Sequence, residues 1–272
     1  MLKNTDMNIT WLDIVDSTND EAKRQIKSLN HMSVISSFHQ TAGRGQRGNS
    51  WRSEKGMNLT FSIVIKYGAD GYGDLNPSNQ FLISKVTSLA VTEFLKRFGI
   101  DAQIKWPNDI YVKNKKIAGI LIEHALQGNT MAYSIIGIGL NVNQLNFDSN
   151  LFNPTSIRLE SPGLTHLDLK DALDDFLNIF KDITENKIIS EIDELYHSKL
   201  WRLDSKSTFV DYTKLPARYH EGPVVPISDS TRSSIEFSGR IIGVSSIGEL
   251  LIEDSSSFQI RRFSFKEIGY II

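Results

Sequence analysis

The strand-length apolar runs between Ile9 and Asn143 do not alternate regularly with helices, and that irregular succession narrows the fold more than any other feature. Residues 9–15, 34–38 and 59–66 read as strands, the last with apolar residues at alternate positions. One helix is predicted among them. It starts near Ser17-Thr18-Asn19 and runs through Leu29, with Asp16 or Ser17 as N-cap and acidic Asp20 and Glu21 in its first turn. A second is expected over 79–98, where Leu82, Val86, Leu89, Ala90 and Leu95 keep a helical period past Glu93 and Gly99 ends it. A Gly/Asp/Asn/Pro-rich loop over 67–78 precedes it. Four strand candidates then follow in a row, around 103–106, 109–113, 117–123 and 131–142, with Asn114-Lys115 as a hairpin turn. A doubly wound parallel sheet needs helices between its strands, so the pattern predicts an α+β domain: a mixed β-sheet packed with helices. Amphipathic helices over 167–184 and 187–200 complete it, the first with a stripe of Leu169, Leu173, Phe176, Leu177, Phe180 and Ile183.

From about residue 205 the pattern becomes short strands between Pro, Gly and Ser clusters, as at Phe209-Val210, Gly239 to Val244, Leu250-Leu251-Ile252 and Phe258-Gln259-Ile260. This predicts a small β-barrel. The expected division is residues 1–203 and 204–272. A chain of 272 residues with 40% hydrophobic and 23% charged side chains buries a core without staples. Its net charge of −2 creates no global attraction to nucleic acid or membranes. The absence of cysteine excludes disulfides, thiolate metal sites and a cysteine nucleophile, and fits a reducing compartment. The N-terminus lacks the basic start and apolar core of a signal peptide, and no run of 18 apolar residues occurs, so a cytoplasmic protein is expected. The six histidines show no H-x-H or H-E-x-x-H spacing, and no metal site is expected from them.

The stretch Gln40 to Trp51 contains Gly43, Gly45 and Gly48 in G-x-G-x-x-G spacing. A dinucleotide fingerprint requires a helix to open within that pattern. Here Trp51 to Gly56 leads into another strand instead, and no G-K-[ST] ending makes it a phosphate-binding P-loop. Glycines still let backbone N–H groups approach an anion, and Arg44 and Arg47 carry guanidinium groups suited to phosphates and carboxylates. Trp51 adds a flat apolar wall. A solvated basic turn also fits this stretch. Further on, Lys105-Trp106-Pro107-Asn108-Asp109 has the chemistry of a hairpin turn. Lys116 opens an apolar strand whose Ala118 and Gly119 leave room beside the backbone, either for a ligand or simply at a sheet edge guarded by a lysine. Gly137-Ile138-Gly139-Leu140-Asn141 places glycines inside a strand, where a bulge or a close ligand is expected.

Taken together, these segments resemble the biotin–protein ligase family. Asp16-Ser17-Thr18-Asn19 is similar to its D-S-T-N segment, and Gln40 to Trp51 to its Q-x-A-G-R-G-R-x-G-x-x-W loop. Lys105 to Asp109 matches K-W-P-N-D, Lys116 to Leu121 matches K-[LI]-A-G-I-L, and Gly137 to Asn141 matches G-x-G-x-N. The tail, with Gly239 to Val244 and Gly248 to Leu251, resembles the family's small C-terminal SH3-like β-barrel. The resemblance implies a ligase that uses ATP to form biotinyl-5′-AMP and passes biotin to a lysine of a biotin carboxyl carrier protein. It implies ATP and biotin as substrates, with Mg2+ arriving on ATP. Lys116, Arg44 and Arg47 would be catalytic. Biotin would meet Ser17, Thr18, Gln40, Gly43, Arg44, Trp51, Lys116, Ala118 and Gly119. The nucleotide would meet Arg47, Trp51, Asn108, Asp109, Lys116 and Asn141. Gln46 stands where the family often has arginine, with Arg47 immediately after it. The catalytic pattern begins within about ten residues of Met1 and the chain is not basic, so no DNA binding is expected. A homodimer paired through an exposed strand of the central sheet is compatible with the pattern, which does not require it.

Overall fold

A computed structural model describes residues 7–68, 71, 73–216 and 227–271, except for the Arg47 side chain. Part of the 67–78 loop therefore lies outside the described residues. Strands β1 (Ile9–Leu12), β2 (Ser33–Ser37) and β3 (Asn58–Lys66) are followed by β4 (Gln103–Lys105), β5 (Asp109–Val112), β6 (Lys115–Gln127) and β7 (Thr130–Asn141). They form one seven-stranded sheet in the order β1-β2-β3-β7-β6-β5-β4. Only the β1–β2 pair is parallel, so the sheet is mixed, as the succession of apolar runs predicts.

Helix α1 (Thr18–Arg24) joins β1 to β2 and is capped by Ser17, whose side chain accepts from the Asp20 N–H. It is shorter than the expected span to Leu29, because past Arg24 the chain tightens into i→i−3 turns, the Ile26 N–H donating to the Lys23 carbonyl and the Ser28 N–H to that of Gln25. Helix α2 (Phe81–Lys96) runs across one face of the sheet, and Gly99 at φ +72° ends it. Helix α3 (Ile157–Glu160) is a single turn, and α4 (Leu169–Asn186) and α5 (Ile189–Ser198) follow. Leu173, Phe176, Leu177 and Phe180 of α4 are buried, with Phe176 against both Phe61 of β3 and Phe94 of α2. Burying an aromatic ring of this kind stabilises the fold by about 1.5–3 kcal/mol relative to leaving it exposed.

The C-terminal part holds helix α6 (Asp229–Ser234) and strands β8 (Lys206–Asp211), β9 (Glu236–Val244), β10 (Leu250–Asp254), β11 (Ile260–Phe263) and β12 (Ile268–Tyr270). Where a barrel is expected, these strands form a five-stranded antiparallel sheet in the order β11-β10-β9-β8-β12. Among the described residues, its end strands are not paired with each other. This second sheet is tied to the first by Trp106, whose indole N–H donates to the Gly248 carbonyl at 3.0 Å. Trp201 makes a second tie: its backbone N–H donates to the Ile104 carbonyl and its indole to that of Lys113, at 2.9 and 2.6 Å, while its ring packs on Tyr270 of β12 at 5.7 Å. One buried apolar cluster includes Leu59 and Phe94 of the first unit and Phe209, Ile252 and Phe263 of the second.

Candidate active site

Strands β5 and β6 pair Asp109 with Gly119 and Ile110 with Ala118, then slip so that Tyr111 faces Lys116. Such a bulge breaks strict alternation and re-aims a side chain. Lys116 reaches Asp109, with Nζ 2.6 Å from Oδ1. The segment after β7 clasps the Lys116 backbone: its N–H donates to Asn153 and its carbonyl accepts from Thr155, at 2.8 and 2.9 Å. Asn108 ties the preceding turn to the same strand twice. Its side-chain amide donates to the Ile120 carbonyl at 2.8 Å, and its own carbonyl accepts from the Ile120 N–H at 2.9 Å. The lysine therefore stands on a strand held at Lys116 by the segment after β7 and at Ile120 by the turn at Asn108.

The glycine-basic loop lies opposite. A short 3-10 turn, Gln46–Gly48, sits at its tip, and Trp51 donates its N–H to the Gly43 carbonyl at 2.8 Å. The Trp51 indole rests on β7 and β6. A Cβ at Gly139 would lie 2.3 Å from the ring, and one at Gly119 would lie 3.1 Å from it. At Gly137 a Cβ would lie 2.3 Å from the Asn19 amide oxygen. The room that the strand glycines leave is thus occupied by two protein side chains. Lys116 Nζ stands 5.8 Å from the Trp51 ring centroid, a cation–π contact. The indole N–H of Trp51 is buried and has no hydrogen-bond partner among the described residues. A buried donor of this kind marks where an acceptor belongs.

Arg44 of the loop is held by two carboxylates, Asp20 of α1 at 2.8 Å and Glu123 of β6 at 2.6 Å. Asn19 donates to the same Glu123 oxygen at 2.8 Å. Beside it, Gln40 accepts from the Thr18 backbone N–H at 2.8 Å and lies 3.2 Å from the Thr18 hydroxyl. The Ser62 hydroxyl is within 2.8 Å of the Thr18 hydroxyl and 2.6 Å of the Asn19 amide oxygen. Upstream, Arg24 grips Asp16 through two hydrogen bonds of 2.8 and 2.7 Å. That grip, helped by the Ser17 N–H, holds the Asp16 carboxyl well below the usual carboxylate range.

Part of this network lines one cleft of about 310 Å3. Of the residues predicted for the site, Ser17, Thr18, Gln40, Arg44, Trp51, Asn108, Asp109, Lys116 and Gly119 line it. Gly43 stands just behind, where a Cβ would lie 2.5 Å from the Trp51 carbonyl oxygen. Ala118 is fully buried and joins the apolar cluster, because alternation along β6 turns it away from Gly119. Asn141 is buried too, its side-chain amide donating to the Thr155 carbonyl at 2.9 Å, and it is not in the cleft wall. The Arg47 side chain lies outside the described residues.

Sequence reasoning missed the wall contributed by the second sheet: Tyr212, Lys266, Ile268, Gly269 and Tyr270. It also passed over Lys105, which lies in the recognised K-W-P-N-D segment and lines the cleft. Burial pushes the phenol of Tyr270 well up, with Tyr196 and Asp109 adding to the effect, and burial likewise raises Tyr111. Both therefore stay protonated at neutral pH.

Residues 11–141 match the model of the biotin/lipoate A/B protein ligase family. A bifunctional ligase/repressor BirA from Salmonella typhimurium is 31% identical over 159 residues, which is 58% of this chain and 48% of that protein. A biotin–protein ligase from Homo sapiens is 34% identical over 114 residues, 42% of this chain and 16% of that one. The matched segment thus spans about half or less of the length of these curated relatives. The two sheets with their helices together superpose on a biotin protein ligase from Aquifex aeolicus, solved with biotin and ATP. The TM-score is 0.69 and the identity 24%, covering 96% of this chain and 97% of that one. The likeness in shape therefore extends past the family match into the second sheet.

Proposed function

We propose that the chain is an ATP-dependent biotin–protein ligase. The observation that carries this reading is the Lys116–Asp109 pair under the Trp51 ring, in one cleft with the Thr18–Gln40 network. A carboxylate oxygen of biotin attacks the α-phosphorus of ATP, the bond to the β-phosphate breaks, and pyrophosphate leaves. The amine of an acceptor lysine then attacks the biotinyl carbonyl, and AMP leaves with the C–O electron pair. Both steps gather negative charge, and Lys116 is the strand-held cation suited to lie between the carboxylate and the α-phosphate. Asp109, 2.6 Å away, aims that ammonium. The Thr18–Gln40 end offers hydroxyl and amide groups for the ureido ring, and Trp51 offers an apolar wall and an unused N–H.

Arg44 serves in this reading by shaping the loop against Asp20 and Glu123, and Arg47 belongs to the same loop. Asn108 supports the nucleotide side by bracing β6, and Asn141 does so by bracing the segment that clasps Lys116. Mg2+ arrives with ATP, held by phosphates and water. Among the described residues no group of three His, Cys, Asp or Glu side chains is placed to hold a metal ion. The acceptor is a biotin carboxyl carrier domain, and the protein works in the cytoplasm, with residues 1–203 as the ligase domain and 204–272 as its companion. Biotin-dependent exchange of labelled pyrophosphate into ATP, with lipoate as control, tests the first step. Transfer of labelled biotin to a carrier domain tests the second. Exchange driven by lipoate and not by biotin would overturn the reading.

A further inference from the structure

Ser62 of β3 lies outside every recognised motif, is fully buried and is not in the cleft wall. It touches two residues that are, Thr18 and Asn19. With Gln40 they make a row of four side-chain oxygens. Gln40 Oε1 lies 3.2 Å from the Thr18 hydroxyl, which lies 2.8 Å from that of Ser62, which lies 2.6 Å from Asn19 Oδ1. Both ends of the row can only accept. Gln40 presents its oxygen because that atom also takes the Thr18 backbone N–H at 2.8 Å. Asn19 presents its oxygen because its amide nitrogen is committed elsewhere, to the Leu121 carbonyl at 3.2 Å and the Glu123 carboxylate at 2.8 Å. Gly137, paired with Ser62 across the sheet, leaves the room in which the Asn19 amide sits.

The row thus has three oxygen–oxygen contacts, and only the two hydroxyl protons of Thr18 and Ser62 to fill them. One contact always sets lone pair against lone pair, which is costly among buried groups. A donor arriving at Gln40 from the cleft removes the shortage. It takes over the Gln40 oxygen, the Thr18 proton turns to Ser62, and the Ser62 proton stays on Asn19. The contact given up is the longest of the three and stands between two residues of the cleft wall. A neutral N–H suits this place, because Glu123, the carboxylate behind Asn19, already holds Arg44. A cyclic urea brings such an N–H, and a dithiolane ring brings none. We infer that Ser62 is a specificity-determining positioning residue: by leaving the row one proton short, it selects a substrate with an N–H at the Gln40–Thr18 end of the cleft. This rests on the biotin-activating function proposed above and deepens it.

The test uses the full chain and three readouts: calorimetric affinity for biotin, the same for dethiobiotin, and KM and kcat from biotin-dependent pyrophosphate exchange. Dethiobiotin keeps the cyclic urea and lacks the sulfur ring. Ser62→Ala leaves the Thr18 proton settled on Gln40, so a substrate N–H has no shortage to relieve. Biotin and dethiobiotin are each expected to bind about tenfold more weakly, the range of one intramolecular hydrogen bond. The KM for ATP and kcat should stay within about twofold, a split that general loosening of the fold would not produce. Asn19→Leu removes the acceptor at the far end, so the Ser62 proton serves Thr18 and the shortage again disappears. Its loss should match that of the alanine variant, and the double variant should add little.

The inference is overturned if Ser62→Ala binds biotin as wild type does, if dethiobiotin escapes the loss, if the KM for ATP moves with the biotin affinity, or if the two single losses simply add. Should the alanine variant fail to fold by circular dichroism, Asn19→Leu decides, and unchanged biotin affinity in that variant overturns the inference. A wild-type protein that binds biotin but shows no biotin-dependent exchange breaks the proposed function and leaves the affinity comparison standing.

Discussion

Two cations that line the cleft, Lys116 and Arg44, are built on different foundations. Lys116 stands on a strand inside the sheet, its backbone N–H and carbonyl both bonded to the segment after β7 and its ammonium on the carboxylate of Asp109. Arg44 sits on a loop whose shape depends on reaching two carboxylates on other elements, Asp20 on α1 and Glu123 on β6. A strand holds a charge in place whether or not a ligand is present, which is what electrostatic catalysis needs. A loop tied by ion pairs can exchange those partners for a ligand's anions. The strand side therefore suits the chemical step and the loop side suits enclosure.

The sharpest way to break this contrast is to remove the strand-borne charge. Lys116→Ala is expected to lower kcat for biotin-dependent pyrophosphate exchange by about 100- to 1000-fold, the usual effect of losing one transition-state donor. Its melting temperature should hardly change, because the lysine is part-exposed. Full activity in this variant would show that Lys116 has no catalytic part. Asp109→Asn keeps the lysine but removes its partner, and kcat should fall by roughly tenfold, in line with one charge-assisted hydrogen bond.

Gly139→Ala attacks the loop side through the sheet. The added methyl meets the Trp51 ring, so the indole has to move, and urea unfolding should show a loss of about 1–3 kcal/mol. An unchanged midpoint would mean that Trp51 does not rest on β7 in solution. Glu123→Gln removes one of the two anchors of Arg44. Because that ion pair is part-exposed, the expected change is only a few-fold in the KM for biotin, with kcat retained.

The smallest effect concerns pH and lies farther along β6. Burial lowers the His124 pKa, while its Nδ1 stays 2.7 Å from the Ser134 hydroxyl. The unfolded chain therefore takes up a proton before the folded one does. The neutral ring's contribution is intact above about pH 6.5 and is lost as pH falls below that value. Replacing His124 by leucine should flatten the acid limb of a plot of melting temperature against pH. An unaltered limb would place the acid sensitivity at other groups, with His31, lowered by the same cause, as the next to test.

Most of the strand and helix pattern could be read along the chain, because local periodicity decides which face of each element is apolar. The departures come where neighbours override it. Strand β6 runs 13 residues, well past the apolar stretch around 117–123, because β7 pairs with it along nearly its whole length. The site was half legible in the same way. Ser17, Thr18, Gln40, Arg44, Trp51, Asn108, Asp109, Lys116 and Gly119 sit in recognisable segments and do meet in the cleft. Ala118 and Asn141 occupy the same segments but turn elsewhere, since motif membership says nothing about which way a side chain points.

By itself, the sequence determined the irregular succession of strands and helices that makes a mixed sheet, the loop glycines that let Trp51 fold back, and the placement of Lys116 and Arg44 in different segments. Tertiary structure alone decided that Lys116 would reach Asp109 across a bulge. It decided that Arg44 would be shared between a helix and a strand. It also decided that a second sheet, more than a hundred residues downstream of β4, would bring Tyr270 beneath Lys105. The reason is physical. Periodicity and turn chemistry act between near neighbours in the chain, whereas charge pairs and ring contacts form only between groups that folding has brought within a few ångströms.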